Sequence, residues 1–270
     1  TTVNPLDMKI SSGKAQQIFP VELPFTPGLD AAGVVEAVGS EVTRVRVGDE
    51  VIANSRGGAY AEFAVFKEDS VSPKPAGLSF AEAAAVLVPV GTAYAVLVTA
   101  GQLRSGERVL VQGAAGAVGS MVVQMAKALG AYVIGTATGN GLALIKKLGA
   151  DEAIDYKMAD PLQGISNIDL VIDLVGGETQ QRSFAVMKTG GRLISTVMPP
   201  PQELAQQRGV SASFHASDLS AKAILPGLQM LAAGKLKPVV ARVLPLQEAA
   251  KAQELVLGGG MNGKVVLEVG

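Results

Sequence analysis

The stretch from Arg108 to Leu129 constrains the fold more than any other part of this chain. Arg108-Val-Leu-Val-Gln112 has the apolar, β-branched composition of a buried strand, and Val118 to Leu129 carries apolar residues at helical spacing. Between them lies Gly113-Ala-Ala-Gly-Ala-Val-Gly119, which we call the glycine-rich turn. A strand that runs through such a turn directly into a helix is typical of a doubly wound parallel sheet.

Two parts of the chain differ in their pattern, with the change near residue 80. Before it, short β-branched runs such as 34–40, 47–52 and 60–65 lie between Gly and Pro turns and predict a small all-β barrel or sandwich. After it, strands and helices alternate, which predicts a parallel sheet with right-handed crossovers. The later strand-like runs are 131–136, 170–175, 192–197 and 264–269, and the helical runs are 142–148, 179–187 and 246–257.

The glycine-rich turn also indicates that the chain binds a phosphate group. Free N–H groups at the start of a helix, together with the helix dipole, bind phosphate, and glycines let a pyrophosphate approach the backbone. The candidate pyrophosphate-binding residues are Ala115, Gly116, Ala117, Val118 and Gly119. Gly119 would also let the helix pack tightly on the strand. Because Ala114 replaces the first glycine of G-x-G-x-x-G, a purely structural glycine turn is the alternative.

The end of the second strand favours one dinucleotide over the other. An NAD site normally has Asp or Glu about 20 residues after the turn, where it binds the ribose hydroxyls. Here the segment Ile134 to Asn140 has no acid, and the next one is Asp151. Thr138 and Asn140 can donate hydrogen bonds to a 2′-phosphate. The sequence therefore favours NADPH, and the missing acid also argues against an adenosylmethionine-dependent methyltransferase.

Composition excludes several classes of function. There are 23 Lys and Arg against 24 Asp and Glu, so nothing in the net charge of −1 predicts a nucleic acid or an anionic membrane as partner. The absence of cysteine excludes disulfides, cysteine-ligated metals and thiol nucleophiles. Residues 83–103 are uncharged and long enough to cross a bilayer, but Pro89 and two glycines interrupt them, so we expect a buried segment and no membrane span. We expect a cytoplasmic protein, with an upstream targeting segment left open.

Six short motifs follow one another in order along the chain. They are Val3–Lys9 (N-P-x-D-x-K), Pro27–Val35 (P-G-x-D-x-A-G-x-V), Val38-Gly39, Gly58–Phe63 (G-x-Y-A-E-F), Leu148–Asp151 and Gly263–Val266. With the glycine-rich turn, they resemble the medium-chain dehydrogenase/reductase superfamily, in particular its zinc-independent quinone oxidoreductase (zeta-crystallin-like) branch. The resemblance covers essentially the whole chain.

The resemblance implies an α/β fold with two domains. A Rossmann doubly wound parallel sheet would comprise residues 91–220, and a GroES-like β-rich catalytic domain would comprise 1–90 and 221–270, with its N-terminus incomplete. It also implies that no metal is bound. Zinc-dependent relatives carry Cys where this chain has Asn4, and G-H-E where it has Gly28-Leu29-Asp30. His215, the single histidine, is expected to have a structural or interface role.

Individual residue roles follow from the same resemblance. Ala117 and Val118 would supply N–H groups to the pyrophosphate, and Thr92 would lie beside the nicotinamide, with a helix cap as its alternative. The other expected cofactor contacts are Thr138 and Tyr156 at the adenosine phosphate, and Val175, Gly176, Thr196 and Val197 around the ribose and nicotinamide. Asn4 would hydrogen-bond the ribose, or serve only as a turn residue. Lys9 would polarise a carbonyl or supply a proton, or be an ordinary surface lysine.

The activity implied is hydride transfer from NADPH to a quinone or an α,β-unsaturated carbonyl. The alternative is a non-catalytic NADPH-binding protein, as crystallin members of the branch illustrate. Residues 209–215 have the small, uncharged side chains of an edge strand. In the family this strand pairs with its symmetry mate, so the resemblance implies a homodimer.

Overall fold

The computed structural model describes residues 1–17 and 19–269. In chain order its elements are α1 (Pro5–Ser11), β1 (Asp30–Val34), β2 (Glu50–Asn54), β3 (Val71–Pro73), α2 (Phe80–Tyr94), β4 (Arg108–Gln112), α3 (Ala117–Ala128), β5 (Tyr132–Ala137), α4 (Asn140–Lys147), β6 (Glu152–Asp155), β7 (Ile168–Asp173), α5 (Gly177–Ser183), β8 (Met187–Ser195), α6 (Gln202–Gln207), β9 (Ser211–Phe214), α7 (Ala221–Ala232), β10 (Val240–Pro245), α8 (Ala249–Leu257) and β11 (Lys264–Glu268).

The chain divides into two compact units. Unit 1 consists of Thr1–Val88, Leu219–Leu228 and Pro238–Gly270, and unit 2 of Pro89–Asp218 and Gln229–Lys237. The expected domain limits differ from these units chiefly at residues 229–237, which belong to unit 2. The assignment of whole domains stays a prediction.

Unit 2 contains a six-stranded parallel sheet with the order β6-β5-β4-β7-β8-β9. Counted from β4, this is the order 3-2-1-4-5-6 of the doubly wound fold. The central strands β4 and β7 are apolar because helices cover both faces of such a sheet: Val109–Val111 and Leu170–Ile172 are completely buried. The Rossmann-type α/β architecture is confirmed, with strand limits shifted by a few residues from the predicted ones.

Unit 1 is rich in β-structure but contains fewer strands than predicted. β1, β2 and β3 form an antiparallel sheet, and β10 pairs with β11. The strand predictions for 34–40 and 60–65 are wrong, because β1 ends at Val34 and residues 60–65 form no strand. The side chains of Phe63 and Val65 are 73% and 94% exposed. β-branched residues favour a strand only where a partner strand and a packed face are available.

The apolar stretch predicted to be buried forms a continuous helix, Phe80–Ala100, whose last six residues are π-helical. Its length and its mean hydropathy of 1.9 would allow it to cross a membrane, but 72% of its most apolar window is buried inside the protein. Arg192 closes the end of this helix by donating from Nε to the carbonyl oxygen of Gly101 at 2.7 Å. The burial agrees with the expectation of a core segment.

Candidate functional site

The start of α3 leaves backbone donors without partners. The glycine-rich turn is attached to β5, since Gly113 N–H donates to Thr136 Oγ1 at 3.1 Å and Ala114 N–H to the Thr136 carbonyl at 2.9 Å. Ser120 is the first helix residue whose N–H is bonded, to the Gly116 carbonyl at 2.9 Å. Within the described chain, the three N–H groups of residues 117–119 have no acceptor, and no side chain caps this helix. Such a helix start binds anions.

Two glycines of the turn are required for different reasons. A Cβ on Gly119 would collide with the Gly113 carbonyl oxygen and lie 2.8 Å from Ala114 Cα, so this glycine lets α3 pack against the turn. Gly116 has φ −69°, and a Cβ there would meet only the Gly113 oxygen, at 3.4 Å. The protein itself does not need glycine at 116. The space at this position is otherwise open, and the next two residues, Ala117 and Val118, are half-buried.

The position of α3 in the sheet supports the same interpretation. α3 follows β4, whose neighbours are β5 on one side and β7 on the other, so strand order reverses at this point. In open α/β sheets ligands bind at this switch point, beyond the carboxyl ends of the strands. The residues expected near ribose and nicotinamide follow the carboxyl ends of the next strands: Val175 and Gly176 come after β7, and Thr196 and Val197 after β8.

A buried carboxylate that the sequence analysis missed lies between these two strand ends. Asp173 is fully buried, and its Oδ1 accepts the N–H groups of Val175 at 3.1 Å and Gly176 at 2.8 Å. Its Oδ2 accepts from Gln180 Nε2 at 2.9 Å and Ser195 Oγ at 2.8 Å. The signal was the acid that ends an otherwise apolar strand.

Thr92 lies inside α2, 7% exposed, and its hydroxyl has no hydrogen-bond partner among the residues described. The helix-cap alternative for Thr92 is wrong, because the residue lies in the interior of the continuous helix Phe80–Ala100. A nearly buried hydroxyl without a protein partner is available to a ligand.

The adenosine end of the expected site contains an acid that the sequence analysis overlooked. Asp155 ends β6 and is paired with Ala137 at the end of β5. The Lys157 N–H, at 3.0 Å, and the Thr138 hydroxyl both donate to its carboxylate and hold the pKa of Asp155 below its ordinary value. The end of β5 itself has no acid, as the sequence analysis stated, but this carboxylate lies at the end of the neighbouring strand. Asn140 at the start of α4 is exposed, and Tyr156 is 48% exposed.

The two catalytic candidates belong to unit 1 and have opposite environments. Asn4 is 5% exposed, with its amide Nδ2 donating to Asp30 Oδ2 at 3.1 Å and its Oδ1 accepting from Lys264 Nζ. Its backbone N–H donates to Asp7 Oδ2 at 2.8 Å, which starts α1. Lys9 is exposed on α1 and forms no ion pair with any described carboxylate. Asn4 is thus held by the protein, whereas Lys9 is free.

The groups around Asn4 form a buried polar cluster that sequence reasoning also missed. Burial lowers the pKa of Lys264, and the carboxylates of Asp30 and Asp7 oppose that shift. Burial, with Asp30 nearby, raises the pKa of Asp7 to about 6. The buried Tyr60 hydroxyl lies near Asp7 without forming a hydrogen bond of good geometry, and burial raises its pKa. The only sequence signal was a lysine at the start of the apolar run 264–267.

The donor set does not fit a zinc ion. In residues 1–17 and 19–269, no three His, Cys, Asp or Glu side chains come together to hold a metal. The oxygen of Asn4 already accepts from the Lys264 ammonium, and the Leu29 side chain has no atom that could bind a metal.

The single histidine, His215, follows β9, and its backbone N–H donates to the Ser195 carbonyl at 2.8 Å.

Comparison with known proteins agrees with this architecture. Residues 1–76 match the family described as Alcohol dehydrogenase GroES-like domain, and residues 148–267 match the one described as Zinc-binding dehydrogenase. Quinone oxidoreductase of Mus musculus is 34% identical over 288 residues, covering 98% of this chain and 86% of the relative. The 2-methylene-furan-3-one reductase of Solanum lycopersicum is 36% identical over 281 residues, covering 98% and 69%.

A solved structure is similar as well. A mycobacterial protein in complex with NADPH has a TM-score of 0.88 and 29% identity, covering 98% of this chain and 88% of that one. The parallel sheet, the GroES-like match and the identity to the mouse enzyme over nearly the whole chain agree with one another. This chain is an oxidoreductase that belongs to the medium-chain dehydrogenase/reductase superfamily, within its quinone oxidoreductase branch.

Proposed function

We propose that this protein binds NADPH at the carboxyl edge of the unit 2 sheet and reduces a quinone or an α,β-unsaturated carbonyl compound. The observation that carries the proposal is the uncapped start of α3, where three N–H groups have no acceptor among the described residues and Gly116 leaves open space. When bound, the nicotinamide supplies the hydride. The pyrophosphate would accept from the N–H groups of Ala117, Val118 and Gly119.

The choice of NADPH rests on two supports. The mycobacterial relative was solved with NADPH, and β5 itself ends without an acid. Asn140 is exposed at the start of α4, and in this proposal its amide would donate to the 2′-phosphate. Asp155 opposes this preference through its charge, so we expect NADPH to bind more tightly than NADH by a modest factor. Fluorescence titration with both cofactors tests it, and equal or reversed affinities would contradict it.

The substrate class rests on the relatives and on the donor set. One relative is called a quinone oxidoreductase and another a 2-methylene-furan-3-one reductase, and both names describe reduction at a conjugated carbonyl. Such a reduction requires hydride delivery and a hydrogen bond to the developing oxyanion. The ammonium of Lys9 is free to supply that bond. Asn4 is a weaker candidate, because its amide nitrogen donates to Asp30 Oδ2 at 3.1 Å and to Thr2 Oγ1 at 3.5 Å and its oxygen accepts from Lys264.

Turnover measurements decide between this proposal and the alternative. Purified protein would be assayed for NADPH oxidation with a panel of quinones and enones, and Lys9→Ala would be compared with the exposed-lysine control Lys251→Ala. We expect turnover that falls at least tenfold in Lys9→Ala only. Tight NADPH binding without turnover of any acceptor would support the non-catalytic alternative instead.

We also propose that activity needs no zinc. The support is that the expected ligand positions hold Asn4, bonded to a lysine, and Leu29. Turnover should survive dialysis against EDTA, and elemental analysis should find less than a stoichiometric amount of zinc. One equivalent of zinc with EDTA-sensitive turnover would overturn this part.

We propose a homodimer formed through β9, as the resemblance implies. β9 is an edge of the six-stranded sheet, and Ser211, Ser213 and Phe214 are exposed. Because the His215 N–H donates to β8, alternation along the strand directs the Ala212 N–H away from β8. Ala212→Pro removes this outward donor and should give monomers by light scattering, whereas a wild-type protein that is monomeric at micromolar concentration would contradict the proposal.

A further inference from the structure

We infer that Asp173 is a positioning residue: its single carboxylate holds together two backbone segments, 174–176 and 196–198, and thereby sets the nicotinamide end of the cofactor site. The inference rests on the proposed function, because cofactor binding is what gives these two segments a role. Because Asp173 is fully buried, it would act through the backbone and not by touching the cofactor, and none of the six sequence motifs includes it.

The first segment is held by Oδ1 of the carboxylate. Val175 and Gly176 both donate their N–H groups to this atom, at 3.1 and 2.8 Å. Gly176 has φ +81°, and a Cβ there would lie 3.1 Å from Met198 Sδ, so the turn is both left-handed and closely packed. These two hydrogen bonds stabilise the backbone directly after β7 in one conformation.

The second segment is held through Oδ2 and one serine. Ser195 Oγ donates to Oδ2 at 2.8 Å and itself accepts from the N–H groups of Val197 at 3.3 Å and Met198 at 3.4 Å. Gln180 Nε2 donates both to Oδ2 at 2.9 Å and to the Met198 carbonyl at 3.3 Å. The Thr196 N–H donates to the Asp173 carbonyl oxygen at 3.1 Å. One side chain is therefore connected to both strand ends.

The chemistry of the group supports positioning over simple core stability. Asp173 is 0% exposed and forms no ion pair within the described residues. Its four donors are neutral: three amide N–H groups and one hydroxyl. Burying a carboxylate away from cations is costly, and an apolar residue would end a buried strand at lower cost. What the carboxylate provides is a fixed spacing between the two segments that contain Val175, Gly176, Thr196 and Val197.

The test compares binding of the whole cofactor with binding of its adenosine end alone. Ser195→Ala removes the hydroxyl that joins Asp173 to the N–H groups of Val197 and Met198, and it leaves the Gln180 link and the bonds to Val175 and Gly176 in place. Asp173→Asn is the second variant. The control is Ser72→Ala, a buried serine of β3 in unit 1. Each protein is titrated with NADPH and with 2′,5′-ADP, which lacks the nicotinamide half. Hydrogen–deuterium exchange of residues 174–198 is measured without ligand.

We expect Ser195→Ala to weaken NADPH binding five- to tenfold, to change 2′,5′-ADP binding less than twofold, and to speed exchange at 196–198. Asp173→Asn should speed exchange in both segments, and Ser72→Ala should change none of these. NADPH affinity within twofold of wild type in Ser195→Ala, or an equal loss for both ligands, would overturn the inference. A wild-type protein that binds neither ligand would refute the proposed function itself, a result distinct from the first two.

Discussion

The helices α1 and α3 begin in opposite ways, and they illustrate how the two units use polar groups. At α1 the Asn4 N–H donates to Asp7, and the Asn4 side chain is bonded on both sides, to Asp30 and Lys264. At α3 the first three N–H groups have no acceptor within the described residues. A polar cluster whose members satisfy one another stabilises the fold. A row of partly buried donors without a protein acceptor can bind an anion, because the first N–H groups of a helix have no partner within the helix and the helix dipole favours negative charge there.

The first test, with the largest expected effect, asks whether the charges of the buried polar cluster around Asn4 stabilise one another. Lys264→Met leaves the carboxylate of Asp30, 0% exposed, without its cation, so the free energy of unfolding should fall by about 3–5 kcal/mol. Lys251→Met is the control, since this lysine is exposed and its pair with Glu248 is worth well under about 1 kcal/mol. Urea unfolding measures both. Equal small losses would mean that the buried pair adds nothing.

The second test separates packing from binding within the glycine-rich turn. Gly119→Ala forces a Cβ against the Gly113 carbonyl, so we expect a stability loss of about 1–3 kcal/mol by urea unfolding. Gly116→Ala has an allowed φ and open space, so its stability should stay within about 0.5 kcal/mol. Its NADPH affinity should nevertheless fall at least tenfold by fluorescence titration. Unchanged affinity in Gly116→Ala would remove the main support for phosphate binding there.

The third test asks whether the charge of the buried Asp7 carboxylate destabilises the folded protein. The pKa of Asp7 is about 6 in the folded protein, above its ordinary 3.8, so folding favours its protonated form. The stability that this group contributes is present below pH 4 and is lost as pH rises through 6. Asp7→Asn keeps an acceptor for the Asn4 N–H but no charge. In urea unfolding, the free energy of unfolding of Asp7→Asn relative to that of wild type should rise by about 1–3 kcal/mol as the pH increases from 4 to 7. A difference independent of pH would contradict the raised pKa.

The smallest effect concerns the acid at the adenosine end. Asp155→Asn removes a negative charge but keeps an acceptor for the Thr138 hydroxyl. NADPH affinity should rise about three- to tenfold at low salt, less at high salt, while NADH affinity stays within twofold. Asp160→Asn, at an exposed aspartate of unit 2, serves as the control. An equal gain for both cofactors would show that Asp155 does not face the 2′-phosphate.

Periodicity predicted unit 2 well and unit 1 poorly, for one physical reason. The strand at 108–112 and the helix after it are recognisable because burial on a parallel sheet leaves a continuous apolar run and then a regular spacing. The runs at 34–40 and 60–65 have the right residues, but strands need partners that a local pattern does not reveal.

The polar residues that matter most were missed for a related reason. Lys264 lies 260 positions from Asn4 along the chain, and Asp173 is 22 positions from Ser195. A lysine or an aspartate at a strand end looks like an ordinary surface residue until its distant donors and acceptors are known. Asp155 was overlooked because its relation to Thr138 depends on the pairing of two neighbouring strands.

The helix Phe80–Ala100 has a consequence for how the protein is made. The boundary between the two units falls inside it, between Val88 and Pro89. During synthesis this apolar helix emerges before any strand of the six-stranded sheet exists. We expect nascent chains that end near residue 105 to be held by chaperones, and fragments cut at the boundary to aggregate.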